Sequence, residues 1–272
     1  MPARKERKGR RIAVTDPEND HKTVEQTTQG PPPEPSPDAW EKPQKILVLL
    51  AHPDDPEFFC GATLVRWAKA GHEITYCLIT CGDKGTNDPT ITREELCGRR
   101  VEEQKAAAAV IGAKKVRFMG YPDGYVVPDL GLRKEITRVI RQEKPDIVVT
   151  CDPTTLYFFG TRLNHPDHRA AGQVVLDAIF PAVGNPMYFE DLRLEEGLEP
   201  HQVREVWVSL TMEPNVILDV TEYWETKIRA LFEHKSQIGE PHKLAERMRE
   251  RRTEDSTVEN PRFEERFRRL TF

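Results

Sequence analysis

From Lys45 onward, continuous apolar runs alternate with amphipathic stretches. Ile46-Leu47-Val48-Leu49-Leu50-Ala51 is apolar at every position, as a strand covered on both faces requires. Residues 57–70 then carry apolar side chains at helical spacing (Phe58, Ala62, Leu64, Val65, Ala68) and stop at Gly71, a residue suited to ending a helix. Residues 74–80 predict a second strand, 81–91 a polar loop, and 92–111 a long helix stopped by Gly112. Thr92 and Glu95 have the spacing of a capping box. A third strand is predicted at 116–119, a helix at 130–142 closed by Pro145, and a fourth buried strand at 147–151. Residues 168–180 read as helix and 181–202 as irregular. Late strands are expected at 206–211 and 216–220, then a helix over 221–235 with Trp224, Ile228, Leu231 and Phe232 on its apolar side. Residues 240–272 read as a partly helical extension docking through Phe263, Phe267, Leu270 and Phe272.

Strands that alternate with helices predict an α/β fold, a Rossmann-like, mostly parallel sheet with helices on both faces. Ligands of such folds bind at the carboxyl ends of strands, where the strand order reverses. Chemistry-bearing residues are therefore expected immediately after strands.

Residues 1–44 break the pattern: they hold 8 of the 22 prolines, with Pro31-Pro32-Pro33 together. Such a segment buries too little apolar surface to offset its ordering entropy, so it reads as a disordered or loosely docked tail ahead of a single domain at 45–272. Its basic start, 1–11, is followed by no apolar stretch, so it does not read as a secretory signal. A formal charge of −5 with interspersed acids and bases argues against a nucleic-acid partner. No apolar run is long enough to span a membrane. The 5 cysteines, Cys60, Cys77, Cys81, Cys97 and Cys151, form no CxxC pair and are odd in number. They are expected to be free thiols in a reducing cytoplasm.

After the first strand the chain reads Ala51-His52-Pro53-Asp54-Asp55-Pro56-Glu57. A dinucleotide site would place GxGxxG here. Instead an imidazole and two carboxylates are offered on a turn stiffened by prolines. His52 and Asp55 are spaced to hold one metal, and Asp54 could accept a proton from metal-activated water. The competing reading is a helix start capped by Asp54 or Asp55. After the fourth strand comes Asn164-His165-Pro166-Asp167-His168-Arg169. Its histidines at i, i+3 can face one centre, and Asp167 could again be a cap. Two His-Pro-Asp clusters, both at strand exits, favour one shared metal site.

These motifs, AHPDD followed by HPDH, resemble the PIG-L/LmbE-like family of zinc-dependent N-deacetylases. Gly61-Ala62-Thr63, Cys81-Gly82-Asp83-Lys84-Gly85, Arg100 with Glu103, Tyr121-Pro122-Asp123-Gly124 and His234-Lys235-Ser236-Gln237 extend the resemblance over residues 45–237. Pro56 departs from the family pattern, displacing the acidic residue to Glu57. The resemblance implies His52, Asp55 and His168 as zinc ligands, with Asp54 as general base. It implies His165 as the partner of the oxyanion, with Asp167 orienting that imidazole. It also suggests Arg100, Glu103 and Asp123 as substrate contacts and self-association into a homo-oligomer. The expected activity is hydrolysis of an N-acetyl or similar acyl group from an amino sugar conjugate. The alternatives are an amidase acting on a non-sugar amide, such as a thiol conjugate, and a non-catalytic sugar-binding protein. Two imidazoles and a carboxylate also accept iron, cobalt or nickel.

Overall fold

A computed structural model describes residues 36–158 and 161–272; the tail expected over 1–44 lies outside the described residues as far as residue 35. The chain falls into two compact units, Met1–Ala39 and Trp40–Phe272. In the first, the described part is a turn in which the Ala39 N–H donates to the Ser36 carbonyl at 2.9 Å.

The second unit runs β1 (Lys45–Leu50), α1 (Asp55–Lys69), β2 (Glu73–Thr80), α2 (Arg93–Ile111), β3 (Lys115–Tyr121), α3 (Leu130–Glu143), β4 (Ile147–Cys151), the short β5 (Tyr157–Phe158) and β6 (Arg162–Leu163), and α4 (Pro166–Asp177). After a π-helical turn at Ala178–Val183 come α5 (Glu190–Leu194), β7 (Glu205–Ser209), β8 (Val216–Asp219), α6 (Trp224–Leu231), α7 (Pro241–Arg249) and β9 (Glu264–Thr271). The large sheet has the order β3-β2-β1-β4-β7-β9-β8. Its pairs are parallel from β3 through β7, and β9 is antiparallel to both its neighbours. From β1 the chain steps outward to β2 and β3, then returns to lay β4 on the other side of β1. The carboxyl ends of β1 and β4 therefore flank the crevice where strand order reverses.

Alternate residues of β1 serve two cores, as the unbroken apolar run predicts. Ile46, Val48 and Leu50 pack with Trp67, Ile111, Trp224 and Ile228, whereas Leu47 and Leu49 pack with Ile136, Val139, Ala171 and Val174. The first core extends to Trp40, whose ring meets Trp67, His72 and Trp207 edge-on at 5.3, 5.1 and 5.9 Å between centroids. The body of the protein thus opens five residues ahead of β1, earlier than composition marks it.

Two expectations are corrected. The partly helical extension contains α7, but its end is the strand β9, inserted between β7 and β8. Phe263, Glu265 and Phe267 alternate inward there; a carboxylate at a core-facing position hid the period of two. Phe272 is exposed rather than docked. Secondly, Cys81 and Cys97 form a disulfide across 16 residues, while Cys60, Cys77 and Cys151 are free and buried. The loop after β2 folds back on α2 and brings the two sulfurs together, which no spacing rule for adjacent cysteines detects. The thiol count therefore carries no weight for a reducing compartment.

Glu265 is inward-facing because α1 is kinked. Cys60 leaves the helical region (φ −146°, ψ 19°), and the Ala62 and Thr63 N–H groups donate to the Glu265 carboxylate at 3.2 and 2.8 Å. A carboxylate buried this deeply requires a counter-charge. Lys227 of α6 supplies it, with Nζ 2.6 Å from Glu265 Oε1 and 3.0 Å from the Phe58 carbonyl. Gly61 is dictated by the same contact, since a Cβ there would lie 3.2 Å from Lys227 Cγ. Removing one member of a buried ion pair strands the other at a cost of roughly 3–5 kcal/mol. Lys227→Met is accordingly expected to lower unfolding free energy by that amount in urea titrations; an unchanged midpoint would show that α1 does not rely on the pair.

Candidate active site

β1 ends against α1 with only four residues between them, so the chain must turn sharply. Asp54 makes that turn in the left-handed region (φ 76°, ψ −23°), which Asp tolerates better than most residues. Its side chain makes no capping hydrogen bond to α1. The helix begins instead at Asp55, whose Oδ2 accepts the His52 N–H at 2.8 Å. The turn thereby faces His52 and Asp55 towards one point, into which α4 brings His168 from the β4 side.

Three donor atoms meet there. His52 Nδ1 lies 3.3 Å from His168 Nε2 and 3.4 Å from Asp55 Oδ2, and His168 Nε2 lies 3.0 Å from Asp55 Oδ1. Ligands at 2.0–2.2 Å from one tetrahedral ion stand about 3.4 Å apart. The remaining ring nitrogens fix the tautomers. His52 Nε2 sits between Asp123 Oδ1 at 3.1 Å and Asp167 Oδ2 at 3.2 Å, so the proton belongs on that nitrogen. Asn164 donates Nδ2 to the Thr155 carbonyl at 2.8 Å, which turns its Oδ1 to His168 Nδ1 at 3.0 Å. Both imidazoles then direct unprotonated nitrogens at the Asp55 carboxylate, the arrangement in which outer partners orient metal-binding histidines. Burial would lower the His52 pKa, but the charge of Asp55 and the hydrogen bonds from Asp123, Asp167 and Asp55 outweigh it and raise it well above the usual value. The surroundings of His52 therefore favour a cation, be it a proton or a metal ion.

Ring nitrogens of His52, His165 and His168 lie within 4.8 Å of one another, as do donor atoms of His52, Asp123 and Asp167. The second group faces the outer nitrogen of His52, and its carboxylates have other duties. Asp167 accepts the Gly124 and Val126 N–H groups at 2.7 and 3.2 Å, and Asp123 accepts the Lys84 N–H at 3.2 Å. These acids orient His52 and tie the loops after β2 and β3 to it.

Asp54 stands on the same turn, between His52 and Asp55. Its carboxylate is 3.3 Å from Arg100 Nη2, and its backbone N–H donates to Gln104 Oε1 at 2.9 Å. Burial pushes the Asp54 carboxyl up to about 6 against the pull of Arg100. His165, exposed at the start of α4, accepts the Asp167 N–H on Nδ1 at 3.2 Å, leaving Nε2–H as a donor in the neutral ring. Burial and the neighbouring imidazoles hold its pKa below the usual value. A further correction concerns Asp167: its carboxylate holds His52 and the loop after β3, and only its backbone N–H meets the His165 ring.

Of the expected substrate contacts, Asp123 lies against His52 and Arg100 beside Asp54. Glu103 is taken up by Ser236, accepting its N–H and Oγ–H, both at 2.7 Å. Arg100 is buried and donates to the Pro53 carbonyl at 2.8 Å and the Gly82 carbonyl at 3.0 Å. Sequence reading gave no role to Asn164 or Gln104. Asn164 stands one helical turn before His168, a spacing that marks it; nothing comparable marks Gln104 fifty residues from Asp54. The loop after β2 lies tight on Arg100: Gly82 has φ +68°, and a Cβ there would come within 2.0 Å of Nη1. Gly82→Ala should therefore cost roughly 1–3 kcal/mol of unfolding free energy by overpacking. A denaturation midpoint equal to wild type would refute this close fit.

The profile of the family described as PIG-L, GlcNAc-PI de-N-acetylase, matches residues 47–179. A diacetylchitobiose deacetylase from Thermococcus kodakarensis is 36% identical over 198 residues, covering 72% of this chain and 71% of its own. A probable N-acetyl-α-D-glucosaminyl L-malate deacetylase 2 from Bacillus anthracis is 28% identical, covering 71% and 81%. Among solved structures, the N,N'-diacetylchitobiose deacetylase of Pyrococcus horikoshii, in complex with an inhibitor, superposes with a TM-score of 0.75 at 29% identity over 84% of each chain.

Proposed function

Since the chain belongs to the PIG-L family of de-N-acetylases, we propose that it is a zinc hydrolase removing an acetyl group from the nitrogen of a 2-acetamido sugar within a conjugate or short oligosaccharide. The observation that carries this reading is the inward pair of imidazole nitrogens, His52 Nδ1 and His168 Nε2, 3.3 Å apart beside Asp55. Like-polarity lone pairs this close are stabilised by a shared cation, and two nitrogens with one carboxylate leave a coordination position open for chemistry. A divalent ion held by His52, Asp55 and His168 supplies Lewis acidity and lowers the pKa of water toward about 7.

The chain's own groups then divide the work. Asp54 accepts a proton from the water that attacks the acetyl carbon and returns it to the amine nitrogen as the C–N bond breaks, giving acetate and the free amino sugar. His165 donates Nε2–H to the carbonyl oxygen as negative charge grows there. Asp123 and Asp167 keep the proton on the outer nitrogen of His52, and Asn164 receives that of His168. No helix of the described residues is long and apolar enough to cross a membrane.

Metal removal tests the centre. A chelator is expected to abolish release of acetate from N,N'-diacetylchitobiose and related N-acetylglucosaminides, and added zinc to restore it. Full turnover by metal-free protein would sink the proposal, and activity confined to non-sugar amides would transfer the reading to an amidase. Asp54→Asn should retain zinc and lose about 10²–10⁴ in kcat, and His165→Ala about 10²–10³; zinc analysis beside initial rates separates these effects from loss of the ion.

A further inference from the structure

Behind Asp54 lies a chain of buried polar groups that the reaction does not touch. Gln104 on α2, Glu57 on α1 and His234 after α6 are all fully buried. Gln104 uses both ends of its amide: Oε1 accepts the Asp54 N–H at 2.9 Å, and Nε2 donates to the Glu57 oxygens at 3.1 Å each. Glu57 Oε2 is in turn 3.1 Å from His234 Nε2. The displaced acidic residue of the His-Pro-Asp-Asp-Pro-Glu segment thus holds a glutamine, and the His-Lys-Ser-Gln segment supplies the imidazole that holds the acid.

A primary amide satisfies this position. Asp54 presents a donor on one side and Glu57 an acceptor on the other, so residue 104 must accept and donate at once. A carboxylate at 104 would face that of Glu57, and an apolar side chain would leave the Asp54 N–H buried without this acceptor and Glu57 with His234 but without its amide donor. The anchored N–H belongs to the residue with φ 76°, a left-handed conformation that costs about 1–3 kcal/mol and persists only where the surroundings impose it. On that backbone Asp54 stands between His52 and Asp55 with its carboxylate beside Arg100.

We infer that Gln104, held by Glu57 and His234, is a positioning residue for Asp54. It fixes the left-handed backbone from which the proposed general base acts. The inference rests on the deacetylase reading and deepens it. The hydrogen bonds that join these three side chains run to Asp54 and to one another, and none of them ends on His52, Asp55 or His168. Their loss should therefore misalign the base without releasing the ion.

The test is a set of purified, zinc-loaded variants assayed for kcat, KM, bound zinc and melting temperature. Gln104→Leu and Gln104→Glu are each expected to lose about 10–100-fold in kcat with KM and zinc content unchanged, the scale of effects transmitted through supporting hydrogen bonds. The exchange Glu57→Gln with Gln104→Glu restores an amide facing a carboxylate and keeps an acceptor for the Asp54 N–H; it should recover most of the kcat lost by Gln104→Glu. Should Gln104→Leu fail to fold, that rescue decides. The inference is overturned if folded Gln104→Leu keeps kcat within about twofold of wild type, if zinc loss accounts for the lost activity, or if the exchange rescues nothing. An Asp54→Asn control at the wild-type rate would instead overturn the role of Asp54 itself, and the inference with it.

Discussion

Two imidazole nitrogens facing one carboxylate across little more than 3 Å impose the strongest demand in this molecule. Their orientation is set from outside. Asp123 and Asp167 hold one ring and Asn164 the other. Asp123 follows β3, Asn164 and Asp167 lie at the start of α4, and the rings they hold sit after β1 and on α4, so the demand is met only if the sheet fixes these elements relative to one another. The double-sided core does this: β1 is covered by apolar side chains on each face, and neither β1 nor β4 can shift without opening a cavity.

Magnitudes explain why so many polar groups are buried around the site. The left-handed turn at Asp54 costs about 1–3 kcal/mol. Hydrogen bonds involving charged partners contribute about 1.5–3 kcal/mol each, and Arg100 on the Pro53 carbonyl together with the Gln104–Glu57 contact suffices to offset the turn. The Glu265–Lys227 pair follows a different logic. It adds little net stability over an apolar pair of the same shape, but it closes the N–H groups freed by the kink in α1.

Much of this was legible in the sequence because the relevant signals are local. Strand exits, the His-Pro-Asp-Asp and His-Pro-Asp-His clusters and the helix stops at Gly71 and Gly112 are each contained within a few residues, and the parallel sheet follows from their alternation. What escaped depends on distant partners. Glu265 stands where a hydrophobic residue belongs because Ala62 and Thr63 need an acceptor two hundred residues away. Cys81 meets Cys97 only after a loop folds back on a helix. Asp167 sits beside His165 in sequence, yet its carboxylate serves His52, because the start of α4 turns the acid towards the loop after β3.

The geometry of α2 unites the remaining features. Cys97, Arg100 and Gln104 fall on one face of the helix, and Ala107, Ala108 and Ile111 continue that face into buried surroundings. The apolar half fixes the helix against the sheet, while the polar half works as a ruler laid across two strand ends. The disulfide and Arg100 hold the loop after β2; Arg100 and Gln104 hold the turn after β1. The turn that α2 holds also carries His52 and Asp55, so this helix fixes their backbone together with that of Asp54, while Asp123, Asp167 and Asn164 orient the imidazole rings. The buried polar pair Arg100 and Gln104 in mid-helix spends part of the packing face of α2 on positioning the turn after β1.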